Sequence, residues 1–258
     1  MRDQLHAYFA QRDDIPLYHI ESGSRLWGIA SPDSDYDMRG FHLPSKAAYY
    51  DYRKHRDLIE VLDGDFDLVS YTVDKMFGLL AKSNPTTIEW LRAHIVYLNA
   101  LPDFETFQRE VLSMVDYRAL YHHYRSIAYS QFKLMESGRL FTYKKAFYCF
   151  RAILSAQVAR RRELPALDVE TLFAQLWHRV HESRGSTSII ELAQQSLARK
   201  RAATEKQEVV PEEQPRMTQA IYSAFEELEQ SAPEASPYRQ QLGDYLTGYA
   251  IELKDRYY

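Results

Sequence analysis

Apolar and polar positions follow two different periods along this chain. Leu5, Tyr8 and Phe9 recur at helical spacing, so a short opening helix is expected over 2–11. The run from Leu17 to Glu21 reads as a strand entering a bend at Ser22-Gly23-Ser24, with a helical turn over 25–29. Ser31-Pro32-Asp33-Ser34 is a loop by composition, and Asp35 to Leu43 is expected as a second strand, stopped by Pro44. Beyond a loop holding Tyr49, Tyr50 and Tyr52, apolar runs at 58–62 and 66–71 flank Asp63-Gly64, a hairpin signal. Val73, Met76, Phe77 and Leu80 form one stripe of a helix over 73–81. Ser83-Asn84-Pro85-Thr86 breaks it and starts another, running through Leu91.

From about Asp103 the helical period takes over. Helices are expected over 107–120, 121–137, 143–163, 169–183, 217–229 and 238–254. Residues 202–215, polar and holding two prolines, read as a loop or linker. The pattern predicts an α+β protein: a small mixed sheet flanked by helices over 1–105, then an all-helical domain over 106–258.

The first half also carries the candidate chemistry. In a strand, residues i and i+2 share a face. Asp35 and Asp37 are therefore expected to project together, with Tyr36 and Met38 turned the other way. Paired carboxylates suit Mg²⁺, which takes oxygen ligands alongside substrate phosphates. The Gly23-Ser24 bend offers backbone N–H groups to a phosphate chain. Carboxylates and bend together read as a site for a nucleoside triphosphate and its metals.

Composition narrows the class. At 258 residues, with 45% hydrophobic and 14% aromatic residues, the chain can bury a core. Cys149, the single cysteine, sits in an apolar run, which excludes a disulfide framework and a thiolate metal site. No signal-peptide pattern and no membrane-length apolar run is present, so a cytoplasmic protein without a membrane partner is expected. The net charge of −4 is uneven: 11 basic and 17 acidic residues lie in 1–108, against 21 and 19 beyond. A metal-gathering acidic half beside a mildly basic half fits polyphosphate, while no basic run marks a duplex-sized nucleic-acid footprint.

Gly23-Ser24-Arg25 followed by Ser34-Asp35-Tyr36-Asp37-Met38-Arg39-Gly40, with ten residues between Ser24 and Asp35, resembles the signature of the DNA polymerase β-like nucleotidyltransferase superfamily, in particular its bacterial and phage branch of predicted nucleotidyltransferases. The resemblance covers roughly the first hundred residues, with a weaker echo near Lys145 and Arg151. It implies a small α/β catalytic core, a helical domain that closes the cleft, and transfer of an NMP from an NTP to an acceptor with release of pyrophosphate. Two Mg²⁺ ions, with Mn²⁺ as a substitute, are implied as cofactors, held by Asp35, Asp37 and a third carboxylate from a neighbouring strand. Asp67, at the start of an apolar run, is the choice; Asp65 and Glu60 are the alternatives.

Ser24 is expected to donate its hydroxyl and N–H to the β- and γ-phosphates, with Gly23 allowing close approach. Arg25 is expected either to reach the same phosphates or to pair with Glu21 or an aspartate. Arg39, two residues past Asp37, is expected to hold the carboxylates in orientation, and Trp27 to pack. Periodicity puts Lys144, Tyr148 and Arg151 on one helical face, whereas the resemblance points to Lys145 and Arg151; cations here would clamp the triphosphate or bridge to acidic residues. The acceptor is not specified: an RNA end, a protein and a small molecule are all compatible, as is an oligomer. The alternative reading is a regulatory, antitoxin-like protein that binds nucleotide without turnover.

Overall fold

A computed structural model describes residues 1–30, 34–53, 56–137, 141–177, 186–202, 207–230 and 232–258. Its contacts divide the chain into two compact units: 1–26 with 34–116 and 236–258, and 27–33 with 117–235.

The first unit is built on a five-stranded mixed sheet in the order β3-β4-β2-β1-β5. The strands are β1 (Ile15–Glu21), β2 (Asp37–Leu43), β3 (Leu58–Asp63), β4 (Phe66–Thr72) and β5 (Val96–Asn99). β1 runs antiparallel to both β2 and β5, β3 and β4 form the expected hairpin, and β2 lies parallel to β4. α1 (Arg2–Phe9) buries Leu5 and Phe9 in a cluster with Met38, Phe66 and Leu68. Among the rings nearby, Tyr18 stacks on Phe104, Phe41 meets Phe77, and Tyr71 lies against Trp90. Those partners come from α4 (Val73–Leu80), α5 (Pro85–Leu91) and α6 (Phe104–Ser113). Thr72 caps α4 and Asn84 caps α5, whose Pro85 occupies the first turn where no N–H is needed.

The last helix, α12 (Arg239–Tyr257), returns to this unit. Tyr249 stacks on Phe107 at 4.3 Å, and Lys254 pairs with Asp74 at 2.8 Å. The contacts thus divide the chain after residue 116 and again before 236, where the sequence suggested one cut at 105/106. Burial of α6 and α12 against the sheet-bearing unit is the cause.

The second unit centres on α8 (Tyr143–Arg160), which is buried on nearly every side, as an apolar helix must be. It packs with α7 (Tyr117–Glu136), α9 (Val169–Trp177), α10 (Ser186–Ala202) and α11 (Gln214–Glu229). No helix among the described residues is long and apolar enough to cross a membrane.

Several expected boundaries move. Two short elements, α2 (Gly23–Leu26) and α3 (Lys46–Tyr50), replace the turn over 25–29 and part of the tyrosine loop. The helix expected over 107–120 ends near Met114, and α7 starts afresh at Tyr117. Within the expected linker, Glu208 bridges to Thr142 and Pro215 already sits in the first turn of α11. Residues 31–33, 178–183 and 203–206 of the expected segments lie outside the described residues.

Candidate active site

β1 ends at Glu21, and the chain bends at once through Ser22 into α2. Gly23 has φ +60, and a Cβ there would sit 2.1 Å from Asp37 Oδ2. The glycine therefore supplies both the left-handed backbone and the space that the Asp37 carboxylate occupies. Ser24, next in the bend, is buried. Gly40 of the same motif has a different reason: a Cβ would lie 2.1 Å from the Tyr18 carbonyl oxygen, so it lets β1 and β2 close.

Asp37 opens β2, and parallel pairing places it opposite Asp67, the second residue of β4. Asp65 stands in the hairpin turn before β4, and Glu60 on β3 faces Val69. Of the three candidates for a third carboxylate, Asp67 is thus the one in register with Asp37. Arg39 joins the pair. Its Nη2 donates to Asp37 Oδ1 at 2.8 Å and to Asp67 Oδ2 at 2.9 Å, while Nη1 donates to Asp67 Oδ1 at 2.9 Å and to the carbonyls of Met38 and Asp67. The side chains of Asp37, Asp67 and Arg39 keep 30%, 28% and 18% of their exposure, so solvent and solutes reach them.

Asp35 departs from expectation. The strand begins at Asp37, so the argument that residues i and i+2 share a strand face does not extend to Asp35, which is exposed in the preceding segment. Arg25 explains the delayed start. Its guanidinium donates to the carbonyls of Ser34 (2.8 Å) and Asp35 (3.3 Å) and lies 3.9 Å over the Tyr36 ring, tying 34–36 to the bend rather than to β1. Among the described residues, the Arg25 guanidinium is thus engaged with that loop, and its charge also acts on the Glu21 carboxyl. No group of three or more His, Cys, Asp or Glu side chains poised to hold a metal occurs among the described residues.

Tyr97 is a site neighbour that the sequence did not indicate, and Glu21, considered there only as a partner for Arg25, instead holds Asp37. Glu21 is fully buried; its Oε1 accepts the Asp37 N–H at 3.0 Å and its Oε2 accepts the Tyr97 hydroxyl. Burial raises the Glu21 carboxyl above the usual range, opposed by those two hydrogen bonds. Its place directly before Ser22-Gly23-Ser24 was the available signal.

The remaining candidates lie in the second unit. Arg151 is buried with its guanidinium 3.9 Å over the Trp27 ring, and Trp27 meets Tyr148 edge-on. Lys144 lies 5.9 Å from the Tyr148 ring, while Lys145 is half-buried in the first turn, its N–H received by the Thr142 cap. Lys144, Tyr148 and Arg151 thus form the row that periodicity indicated, packed with Trp27. Buried Lys200, also missed, donates to the Ile29 carbonyl at 2.9 Å, and Arg201 to that of Gly28.

The fold and bend are those of a DNA polymerase β-like nucleotidyltransferase. More narrowly, the family model described as RNA repair pathway DNA polymerase beta family (RlaP) matches residues 2–252, and the chain belongs to that family. Among curated relatives, the uncharacterized protein YcgL of Bacillus subtilis (strain 168) is 35% identical over 162 residues, covering 62% of each chain. The uncharacterized protein MJ0002 of Methanocaldococcus jannaschii is 29% identical over 147 residues, 54% of this chain and 58% of its own. The chain therefore spans less than two thirds of either relative's length. A nucleotidyltransferase-like protein from Exiguobacterium sibiricum aligns over 98% of this chain and 77% of its own, at 11% identity and a TM-score of 0.30.

Proposed function

We propose that this protein transfers a nucleoside monophosphate from an NTP to the end of an RNA, releasing pyrophosphate, with a divalent cation as cofactor. The observation that carries the proposal is the register of Asp37 against Asp67 beside a bend whose Gly23 leaves room for the Asp37 carboxylate. Membership of an RNA repair pathway family supports an RNA acceptor over a protein or small molecule.

The donor chemistry fits a divalent ion: two partly exposed carboxylates on adjacent strands already face a cation, the Arg39 guanidinium. Asp37 and Asp67 would hold it, with Asp35 the nearby exposed carboxylate. When bound, the ion supplies charge neutralisation for the phosphates and lowers the acceptor hydroxyl's hold on its proton. Arg39 would give up at least one carboxylate contact on loading, and its freed N–H groups would face the same oxygen-rich surroundings. Ser24 and the N–H groups of the bend would grip the phosphate tail, and an aspartate would receive the acceptor's proton. Positioning and charge, rather than covalent chemistry, then account for the rate.

A second reading keeps the pocket but not the turnover: a regulatory protein that binds nucleotide. The Arg39 bridge favours it, since a guanidinium that stays between the carboxylates would keep a metal out. Incubating the protein with α-labelled NTPs, Mg²⁺ and an RNA pool separates the two. Transfer of label to RNA, lowered at least about 100-fold in Asp37→Asn, is expected. Absence of label in any RNA with all four NTPs, beside a biological effect that Asp37→Asn leaves intact, favours the regulatory reading.

A further inference from the structure

Glu21 is a carboxylate with no exposed surface, placed where β1 ends and the phosphate bend begins. Desolvation disfavours a buried carboxylate, so its presence asks for partners that use both oxygens. It has them. Oε1 accepts the Asp37 N–H and Oε2 accepts the Tyr97 hydroxyl from β5. The Asp37 peptide is held at its other end as well, because its carbonyl accepts the Ser22 N–H at 2.8 Å.

This matters because of where Asp37 stands. The last β1–β2 pair is Glu21 with Met38, so Asp37 lies one step beyond that ladder, and the segment before it is an irregular loop. A residue there has no main-chain acceptor on β1 for its N–H. The Glu21 side chain takes that place, and it is anchored in turn across the sheet to a third strand. The Asp37 N–H and carbonyl thereby both have partners, although the residue stands at the first position of its strand.

We infer that Glu21, held by Tyr97, is a positioning residue for nucleotidyl transfer: it fixes the Asp37 peptide, and so fixes where the Asp37 carboxylate meets the divalent ion. The inference rests on the function proposed above. Glu21 touches neither substrate nor metal; it acts through Asp37.

Three variants test it in the full chain. Glu21→Gln keeps an acceptor oxygen for the Asp37 N–H, Glu21→Ala removes it, and Tyr97→Phe removes only the anchor. Exchange of the Asp37 amide by NMR, Mn²⁺ affinity by electron paramagnetic resonance, and kcat and KM for NTP are measured on each. Partners that orient metal-ligating groups typically change metal affinity or activity by about 10- to 100-fold. Glu21→Ala is expected to lose Asp37 amide protection, to bind Mn²⁺ and turn over worse by about that range, and to keep KM for NTP near that of the parent. Glu21→Gln should recover most of all three, and Tyr97→Phe should fall between.

Unchanged Mn²⁺ affinity and kcat in Glu21→Ala would overturn the inference. So would a Glu21→Gln variant as impaired as Glu21→Ala, because charge rather than position would then be the cause. If Glu21→Ala does not fold, Tyr97→Phe decides, and parental behaviour in all three readouts overturns the inference. A parent protein that binds no Mn²⁺ and transfers nothing would instead overturn the proposed function. Positioning of Asp37 would then be decided by amide exchange alone.

Discussion

At the residue scale, Gly23 and Arg39 carry the most specific consequences. Gly23→Ala forces a Cβ into the Asp37 carboxylate and a side chain into the left-handed region. Backbone strain of that kind costs about 1–3 kcal/mol, and the carboxylate must also move. Thermal unfolding and an NTP-transfer assay should show both lower stability and lost transfer; full activity would mean that Asp37 does not need its present place. Arg39→Ala leaves two like charges facing each other across β2 and β4. Losing a hydrogen-bonded ionic partner costs about 1–3 kcal/mol, and Mg²⁺ should restore part of it. The melting temperature of the variant should therefore rise more on adding Mg²⁺ than that of the parent. Equal shifts would argue that no ion enters between these carboxylates. Asp37, Gly23 and Arg39 were legible in the sequence through the motif's resemblance to a known signature, and the pairing of β1 with β2 brings the bend against Asp37. The roles of Glu21 and Tyr97 were not, because a contact from β5 to the end of β1 has no local signature.

Strand registry explains the rest of the site at the scale of elements. The β3–β4 hairpin announced itself through Asp63-Gly64, and β2 paired parallel to β4 then sets Asp67 opposite Asp37. The start of β2 could not be read, because Arg25 pulls 34–36 away from the sheet through contacts formed only in three dimensions. β5, four residues long, is too short to show a period. α10 was overlooked because its polar composition masks the buried stripe through Ile189, Ala193, Ser196 and Lys200.

The same sheet holds a buried polar trio. The Ser70 hydroxyl lies between His19 Nε2 (3.0 Å) and His42 Nδ1 (2.9 Å), donating to one ring and accepting from the other. Burial pushes His42 down to about 4 and His19 to about 3. An unfolded histidine protonates near 6.5, so between that pH and about 4 the unfolded chain binds more protons, and stability falls as pH drops. Urea midpoints at pH 7 and pH 5 should show this loss, and His42→Gln should lessen it; an identical loss in the variant would assign the acid sensitivity elsewhere.

For the whole molecule, contacts group residues 1–26, 34–116 and 236–258 into one compact unit, whereas the sequence suggested a division at 105/106. Helical periodicity marks α6 and α12 as helices but cannot say which core they cover. Phe107 and Tyr249 stack together beside Phe77 of α4, so the sheet-bearing unit draws on both ends of the chain. A fragment ending at residue 105 should accordingly lack a cooperative thermal transition by circular dichroism. A sharp transition in that fragment would show that α6 and α12 are dispensable. The central claim, that the Asp37–Asp67 pair and the Gly23-Ser24 bend together hold a cation and a triphosphate, is tested most directly by a crystal soaked with Mn²⁺ and a non-hydrolysable NTP. An anomalous manganese peak at the two aspartates, with phosphate density against the bend and Arg39 turned from at least one carboxylate, is the predicted result. Arg39 still bridging both aspartates, with manganese and nucleotide bound elsewhere or not at all, would contradict it.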